Sequence, residues 1–158
     1  MSKVILVTGG SKGIGANIVE GLARKGYTVI LNYNNSEKEA KSIQNRLNEE
    51  NINIDICQAD VSIHTEVTKL INYCINKYHK IDVLINNAGI SQTKLFTDIT
   101  DVDWYNMLQT NLTSAFYTIK DTLPCMIHNK NGCIINISSV WGLVGSSCET
   151  HYSVSKAG

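Results

Sequence analysis

Short runs of apolar, mostly β-branched residues alternate with stretches of helical periodicity along this chain of 158 residues. The apolar runs lie at 4–7, 28–31, 52–57, 83–85 and 132–137. Continuous runs are typical of strands buried on both faces of a parallel sheet, and the alternating run at 52–57 is typical of a strand near a sheet edge. Alternating strands and helices form βαβ units with right-handed crossovers. The sequence therefore predicts an α/β fold, a Rossmann-type doubly wound parallel sheet with helices on both faces that ends after its fifth strand.

The helical stretches have recognisable ends and faces. Helices are predicted from 14 to 25, from 37 past 47, over 67–78 and over 101–129. Ser36 and Glu39 have the spacing of a capping box, which predicts that the Ser36 side chain caps the second helix. Pro124 predicts a kink in the last helix. One side of that helix carries four apolar residues, Leu112, Phe116, Ile119 and Leu123. We expect residues 138–151, rich in glycine and serine, to form a loop.

Length, charge and cysteine content limit the number of domains, the kinds of molecule that we expect the protein to bind, and the chemical state of its cysteines. We expect one domain over residues 1–158, with 14 basic and 14 acidic residues and no net charge to attract nucleic acid or an anionic membrane surface. The sequence has no apolar run near the ~18 residues of a membrane span and no export signal. Its five cysteines are widely spread without a C-x-x-C pair, so we expect free thiols in a reducing compartment, with no metal site and no disulfide framework.

A glycine-rich turn directly follows the first apolar run and opens the first helix, with the sequence Thr8-Gly9-Gly10-Ser11-Lys12-Gly13-Ile14-Gly15. A dinucleotide-binding fold places its phosphate loop at this point. We expect Gly9 to allow the tight turn, Gly13 to let backbone N–H groups approach a pyrophosphate, and Gly15 to let helix and strand pack closely. The helix N-terminus adds partial positive charge. The alternative is a tight turn that binds no ligand.

The end of the second strand bears on the choice of cofactor. An acidic residue that binds a ribose 2′-hydroxyl is expected about 20 residues beyond the loop. The chain has Asn32-Tyr33-Asn34 there instead. Because no carboxylate would repel a 2′-phosphate and Lys12 in the loop is able to reach one, the sequence favours NADP(H) over NAD(H). The alternative is that Lys12 is only solvated.

Tyr152 and Lys156 are four residues apart near the end of the chain. This spacing places both side chains on one face of a helix, where the ammonium stabilises a phenolate. The pair therefore indicates acid–base chemistry at a tyrosine.

Taken in order, five elements of the chain resemble the short-chain dehydrogenase/reductase family. They are Thr8-Gly9-x-x-x-Gly13-x-Gly15, Asn86-Asn87-Ala88-Gly89, Asn111, Ser139 and Tyr152-x-x-x-Lys156. Within the family the chain is most similar to bacterial 3-oxoacyl-[acyl-carrier-protein] reductases, through residues 134–139 and 152–158. Residues 141–152 also resemble a branch of reductases that act on a 5-aminopentanone modification of elongation factor P.

The resemblance implies a cytoplasmic, NADPH-dependent oxidoreductase of fatty acid biosynthesis, a homotetramer or homodimer, that reduces a small-molecule or acyl-carrier-bound ketone. It implies that Tyr152 is the general acid and that Lys156 supplies positive charge and binds the nicotinamide ribose. Ser139 would donate to the substrate carbonyl, and Asn111 would hold a water that returns the proton. The implied cofactor-binding residues are Thr8, Gly9, Ser11, Lys12, Gly13, Ile14, Gly15, Asn32, Asp60, Val61, Asn87, Ala88, Gly89, Tyr152 and Lys156.

Several alternatives stay open. Asp60 follows a strand, where an aspartate often caps the next helix. His151 lies beside Tyr152, but the family pattern does not require histidine there, so we expect a surface residue and not a proton relay. We expect Trp104 and Trp141 to pack against other residues. Because a dinucleotide fold of this type continues past five strands, we expect the 158-residue polypeptide to bind cofactor weakly and to be inactive by itself. A non-catalytic NADP(H)-binding module is the other hypothesis.

Overall fold

Five parallel strands form a single sheet in a computed structural model of the protein, which describes residues 2–158. The strands are β1 (Val4–Val7), β2 (Thr28–Tyr33), β3 (Asp55–Gln58), β4 (Val83–Asn86) and β5 (Cys133–Asn136). Their order in the sheet is β3-β2-β1-β4-β5, and every neighbouring pair is parallel. The direction of winding therefore reverses between β1 and β4, which is where a doubly wound sheet opens a crevice at its carboxyl edge.

Seven α-helices are described along residues 2–158. They are α1 (Gly13–Arg24), α2 (Glu37–Glu49), α3 (His64–Tyr78), α4 (Asp101–Leu108), α5 (Ser114–His128), α6 (Trp141–Val144) and α7 (Thr150–Ala157). A π-helical turn, Gln109–Thr113, joins α4 to α5, and a short 3₁₀ turn covers Phe96–Asp98. Of the helices between residues 2 and 158, none combines the length and the apolar composition that a bilayer crossing requires.

Helices cover both faces of the sheet, as predicted, and each face has its own apolar core. On one face Val4 and Leu6 of β1 pack in the same cluster as residues of α3 and Met126 of α5. On the other face Ile5 and Val7 pack in a cluster with residues of α1 and α2. Because successive side chains of a strand point to opposite faces, the continuous apolar run of β1 is explained by its burial between two helix layers.

The predicted capping box at Ser36 is wrong. Ser36 precedes α2, but its side chain makes no capping hydrogen bond within the described residues. Glu39, the other half of the expected box, forms an ion pair with Lys12, with 2.9 Å between Oε1 and Nζ. A capping box instead opens α4, where Asp103 N donates to Thr100 Oγ1 and Thr100 N donates to an Asp103 carboxylate oxygen.

The segment from 101 to 129 also differs from the prediction. The four apolar residues predicted to share one side do not form its buried side, since Phe116 is 59% and Leu123 40% exposed. The buried side of α5 is instead Ser114, Thr118, Thr122 and Met126. Thr118 Oγ1 donates to Asn86 Oδ1 on β4 over 2.7 Å, whereas the Thr122 hydroxyl on the same side has no partner within the described residues. The predicted loop at 138–151 contains the short helix α6.

Candidate active site at the carboxyl edge of the sheet

At three glycines of the turn between β1 and α1, a side chain would clash with its surroundings or would require a strained backbone conformation. Gly9 and Gly13 have φ values of +62° and +51°, in the left-handed region that favours glycine. A Cβ at Gly15 would clash with the carbonyl oxygen of Gly9 and would lie 2.5 Å from Asn87 Nδ2. The N–H groups of Gly9 and Gly10 donate to Asn32. The turn thus leads tightly into the N-terminus of α1, where the first N–H groups of a helix have no acceptor within it, as a phosphate loop requires.

Side chains predicted to bind cofactor also hold this turn in place. Asn87 Nδ2 donates to the carbonyl oxygens of Thr8 and Gly9 over 3.1 and 3.0 Å, and the N–H groups of Asn87 and Ala88 both donate to Thr8 Oγ1. Asn32 is only 1% exposed, and its amide nitrogen donates to the carbonyl oxygen of Ala59 over 3.0 Å. These polar side chains fix the relative positions of the ends of β1, β2, β3 and β4.

A cavity of about 280 Å³ lies along these strand ends. Of the residues predicted to contact a cofactor, seven line it: Gly9, Ser11, Asn32, Asp60, Val61, Ala88 and Gly89. Asp60 accepts from the backbone N–H and the hydroxyl of Ser62 and from Asn34 Nδ2, so its carboxylate shapes the loop after β3. Thr8, Lys12, Gly13, Ile14 and Gly15 lie in the turn outside this lining.

Tyr152 and Lys156 lie on one side of α7, as their spacing predicts. Lys156 Nζ is 5.9 Å from the centre of the Tyr152 ring and donates to the carbonyl oxygen of Ile137 over 2.8 Å. Burial lowers the pKa of Lys156. A Cβ at Gly89 would lie 3.5 Å from Lys156 Nζ, so the lysine reaches the turn after β4 that lines the cavity.

Asn111 lies in the π-helical turn, at a point where the chain approaches Lys156. Its Oδ1 accepts from the N–H of Ile90, and its Nδ2 donates to the carbonyl oxygen of Ile90 and to Ser155 Oγ, over 2.8, 2.8 and 3.0 Å. The side chain thus joins the segment after β4 to α7. π-helical turns occur frequently at functional sites.

Ser139 lies in the segment that packs against the end of α7. Its Oγ accepts from the N–H of Trp141 over 3.2 Å. The neighbouring Ser138 Oγ donates to the carbonyl oxygen of Lys156, and a Cβ at Gly142 would lie 2.6 Å from the same oxygen. Asn111 and Lys156 line a second cavity of about 300 Å³ together with Ser138 and with Ala88, which also lines the cavity at the strand ends. Ser139 directly follows this lining in the sequence, and Tyr152 lies on the same side of α7 as Lys156.

Comparison with known sequences agrees with this arrangement. Residues 3–158 match the sequence profile of the family described as short chain dehydrogenase. The chain belongs to the short-chain dehydrogenase family. The family predicted from five motifs of the sequence is thereby confirmed.

Several bacterial proteins are similar to this chain over nearly its whole length. A Staphylococcus aureus protein named 3-oxoacyl-[acyl-carrier-protein] reductase FabG is 36% identical over 158 residues, which cover all of this chain and 64% of that protein. A Bacillus subtilis protein named uncharacterized oxidoreductase YmfI is 37% identical over 157 residues, 99% of this chain and 64% of that protein. A Chlamydia pneumoniae protein named FabG is 34% identical over 158 residues, all of this chain and 63% of that protein. The chain spans less than two thirds of the length of these relatives.

One expectation for this chain is wrong. His151 does not lie on the surface but is fully buried, with Nε2 2.9 Å from Gln92 Oε1. Trp141, by contrast, is 38% exposed. Local sequence carried no signal for the burial of His151, because its neighbours on the buried part of α7, Ser153 and Ser155, are polar as well.

Proposed function

We propose that the chain carries the dinucleotide-binding and proton-transfer residues of an NADPH-dependent reductase that converts a ketone, with 3-oxoacyl thioesters as the substrate class, to an alcohol. The observation that carries this proposal is the convergence of Tyr152, Lys156 and Asn111 beside Gly89, at the end of a cleft that begins in a glycine-rich turn. The names of the Staphylococcus and Chlamydia relatives support the substrate class.

The residues present fit a nicotinamide dinucleotide. The turn from Gly9 to Gly15 lacks side chains where a Cβ would clash or would require a strained φ. The N–H groups of Gly9 and Gly10 donate to Asn32, so a pyrophosphate would be received by the N–H groups of the first turn of α1, which have no acceptor within the helix. Asp60 and Val61 would border the adenine, and Lys156 would bind the nicotinamide ribose. When bound, the reduced nicotinamide supplies the hydride.

Residues around the end of β2 support a cofactor with a 2′-phosphate. The cavity is lined there by Asn34, Asn35 and Ser36, three uncharged residues before the N-terminus of α2. The Ser36 hydroxyl does not cap the helix, which leaves it free to donate to a phosphate oxygen. Lys12 is paired with Glu39, but both side chains are well exposed, and such pairs contribute only ~0–1 kcal/mol. Lys12 is therefore able to exchange Glu39 for a phosphate.

The proton in the proposed reaction moves through the residues at the other end of the cleft. Tyr152 donates a proton to the carbonyl oxygen of the substrate while Ser139 donates a hydrogen bond to the same oxygen. The charge of Lys156 stabilises the phenolate that remains. The amide nitrogen of Asn111 already donates to Ile90 and Ser155, so we assign the water that returns the proton to an oxygen atom of Asn111.

Exposed apolar side chains on α4 and α5 support a homodimer or homotetramer. Val102, Tyr105, Phe116 and Ile127 are each 59 to 69% exposed. Phe116 and Ile127, eleven residues apart, share one face of α5, and an exposed apolar face is typical of a surface that another copy of the protein covers. We propose that the oligomer acts in the cytoplasm on a small-molecule or acyl-carrier-bound ketone, without nucleic acid or membrane.

A binding and turnover experiment tests the proposed function. The full-length protein is titrated with NADPH and NADH while tryptophan fluorescence is recorded, because Trp141 is partly exposed in the segment beside Ser139. It is then assayed with a panel of ketones that includes an acetoacetyl thioester. We expect tighter binding of NADPH than NADH and turnover of the thioester. A protein that binds neither dinucleotide, or that binds NADPH but reduces no ketone, would contradict the proposal.

A further inference from the structure

The histidine next to Tyr152 is buried at the start of α7. No side chain caps the N-terminus of this helix within the described residues. The position of its first turn therefore depends on contacts with the rest of the fold. His151 has no exposed surface and lies in the first turn of this helix.

A chain of hydrogen bonds runs from His151 to the start of α4. His151 Nε2 lies 2.9 Å from Gln92 Oε1, and Gln92 Nε2 donates to Asp103 Oδ1 over 3.1 Å. The other oxygen of Asp103 accepts from Lys94 Nζ and from the N–H and hydroxyl of Thr100. Lys94, Thr100 and Gln92 hold the pKa of Asp103 well below its usual range, so this residue is a carboxylate at neutral pH.

The Asp103 carboxylate fixes the orientation of the Gln92 amide and, through it, of the His151 ring. Only the amide nitrogen of Gln92 can face Asp103, because two oxygens would repel each other. The amide oxygen of Gln92 therefore faces His151 and requires a hydrogen on Nε2. In the neutral ring Nδ1 then carries no hydrogen, and it has no hydrogen-bond partner among residues 2–158. The contacts thus specify a single tautomer and a single ring orientation.

A second hydrogen bond holds the same side of α7 one turn further on. Ser155 Oγ accepts from Asn111 Nδ2 over 3.0 Å. His151 and Ser155 therefore dock one edge of α7, and Tyr152 and Lys156 form the adjacent edge. Since neighbouring residues are separated by about 100° around a helix, a rotation or slide of the docked edge displaces the Tyr152 hydroxyl as well.

We propose that His151 is a positioning residue, which holds Tyr152 in place for proton transfer through its hydrogen bond to Gln92 and the carboxylate of Asp103. The inference rests on the proposed function, in which Tyr152 is the general acid. It adds a residue that the motifs of the family did not indicate. A displacement of about 1 Å at a reacting group lowers rates by as much as ~100-fold, so a modest shift of α7 is sufficient to be measured.

Four single variants of the full-length protein, and the double variant that combines the two leucine substitutions, test this role. His151→Leu removes the donor, and Gln92→Leu removes the acceptor while leaving His151 in place. His151→Gln restores an amide donor at the same distance along the side chain as Nε2. Ser153→Ala is the control, because Ser153 is also buried on α7 but accepts from Ser146 N and not from this network. Thermal unfolding of each variant establishes that it is folded.

We expect kcat to fall by about tenfold or more in His151→Leu and Gln92→Leu, with the KM for NADPH within about twofold of the wild-type value. We expect His151→Gln and Ser153→Ala to stay within about threefold of wild type, and the double leucine variant to be no worse than either single variant. An unchanged kcat in His151→Leu, an equal fall in His151→Gln, or an equal fall in Ser153→Ala would overturn the proposal.

Crystal structures of wild type and His151→Leu separate this inference from the proposed function. If the wild-type protein reduces no ketone, the proposed function fails, but the position of the Tyr152 hydroxyl is still measurable. We expect it to move by about 1 Å or more in the variant. A hydroxyl that stays in place would overturn the positioning role whatever the enzyme's activity.

Discussion

Gly15 lies where α1 approaches the turn after β1 most closely. A Cβ there would clash with the carbonyl oxygen of Gly9 and crowd Asn87 Nδ2, which itself bonds Thr8 and Gly9. Backbone and a hydrogen-bonded amide cannot move aside cheaply. The close approach that the sequence predicts for this glycine is thus present, and the atoms that enforce it are identified.

Substitution of two glycines on α1 separates close packing from helix propensity. We expect Gly15→Ala to lower the free energy of unfolding by about 1–3 kcal/mol or more, because the added methyl group overpacks the turn. Gly21→Ala is the matched control, since within the described residues, apart from its sequence neighbours and the backbone of its own helix, no atom lies within 4 Å of its Cβ position. It should raise stability by about 0.5–1 kcal/mol. Urea unfolding measures both, and equal effects of the two changes would contradict this account.

Substitution of Lys12 tests the proposed preference for NADPH over NADH. If it exchanges Glu39 for a 2′-phosphate, Lys12→Ala should raise the Kd for NADPH by about three- to tenfold, as expected for loss of ~1 kcal/mol, and leave the Kd for NADH unchanged. Lys3→Ala is the control, because Lys3 precedes β1 at the opposite edge of the sheet. Equal weakening of both cofactors by Lys12→Ala would show that the lysine is not specific for the phosphate.

At the scale of elements, periodicity located the helices but did not always identify the buried side. In α3, the helix predicted over 67–78, the buried side is apolar, at Val67, Leu70, Ile71 and Cys74. In α5 the buried side is largely polar, and Thr118 on that side bonds Asn86 across the helix–sheet contact. A long-range hydrogen bond of this kind has no local signal in the sequence. The same is true of Ser36, since its capping partner Glu39 binds Lys12 instead.

The contact between β3 and α3 predicts a pH dependence of stability. Burial opposes the charge of Asp55, but hydrogen bonds from Lys77, Tyr78 and Tyr73 outweigh it and lower the pKa of Asp55. A carboxyl whose pKa is lowered by folding stabilises the protein above its unfolded pKa of about 4, and that contribution is lost as the pH falls through the lower folded value.

We therefore expect Asp55→Asn to lower the free energy of unfolding by about 1–3 kcal/mol at neutral pH, and the difference from wild type to shrink below pH ~4. Urea unfolding across this pH range provides the measurement. Glu49→Gln, at an exposed residue ending α2, is the control and should leave the pH dependence unchanged. A difference between Asp55→Asn and wild type that persists undiminished in acid would contradict the role assigned to the carboxylate.

At the scale of the whole molecule, the carboxyl edge of the sheet unites residues far apart in sequence. The order β3-β2-β1-β4-β5 brings the turn after β1 beside the turn after β4, and α7 returns to the same edge with Tyr152 and Lys156. This arrangement was predictable, because parallel strands with right-handed crossovers place their carboxyl ends together. The network from Asp103 through Gln92 to His151 was not, because it depends on how α4 and α7 pack.

Deuterium transfer tests the central proposal most directly. The full-length protein is incubated with a ketone panel and with NADPH deuterated at the carbon that donates hydride, and the alcohol is analysed by mass spectrometry. We expect deuterium on the former carbonyl carbon, and a rate about 10²–10⁴-fold lower in Tyr152→Phe, a variant that should still bind NADPH. Absence of a deuterated alcohol from the whole panel while NADPH is bound, or an unchanged rate in Tyr152→Phe, would contradict the account.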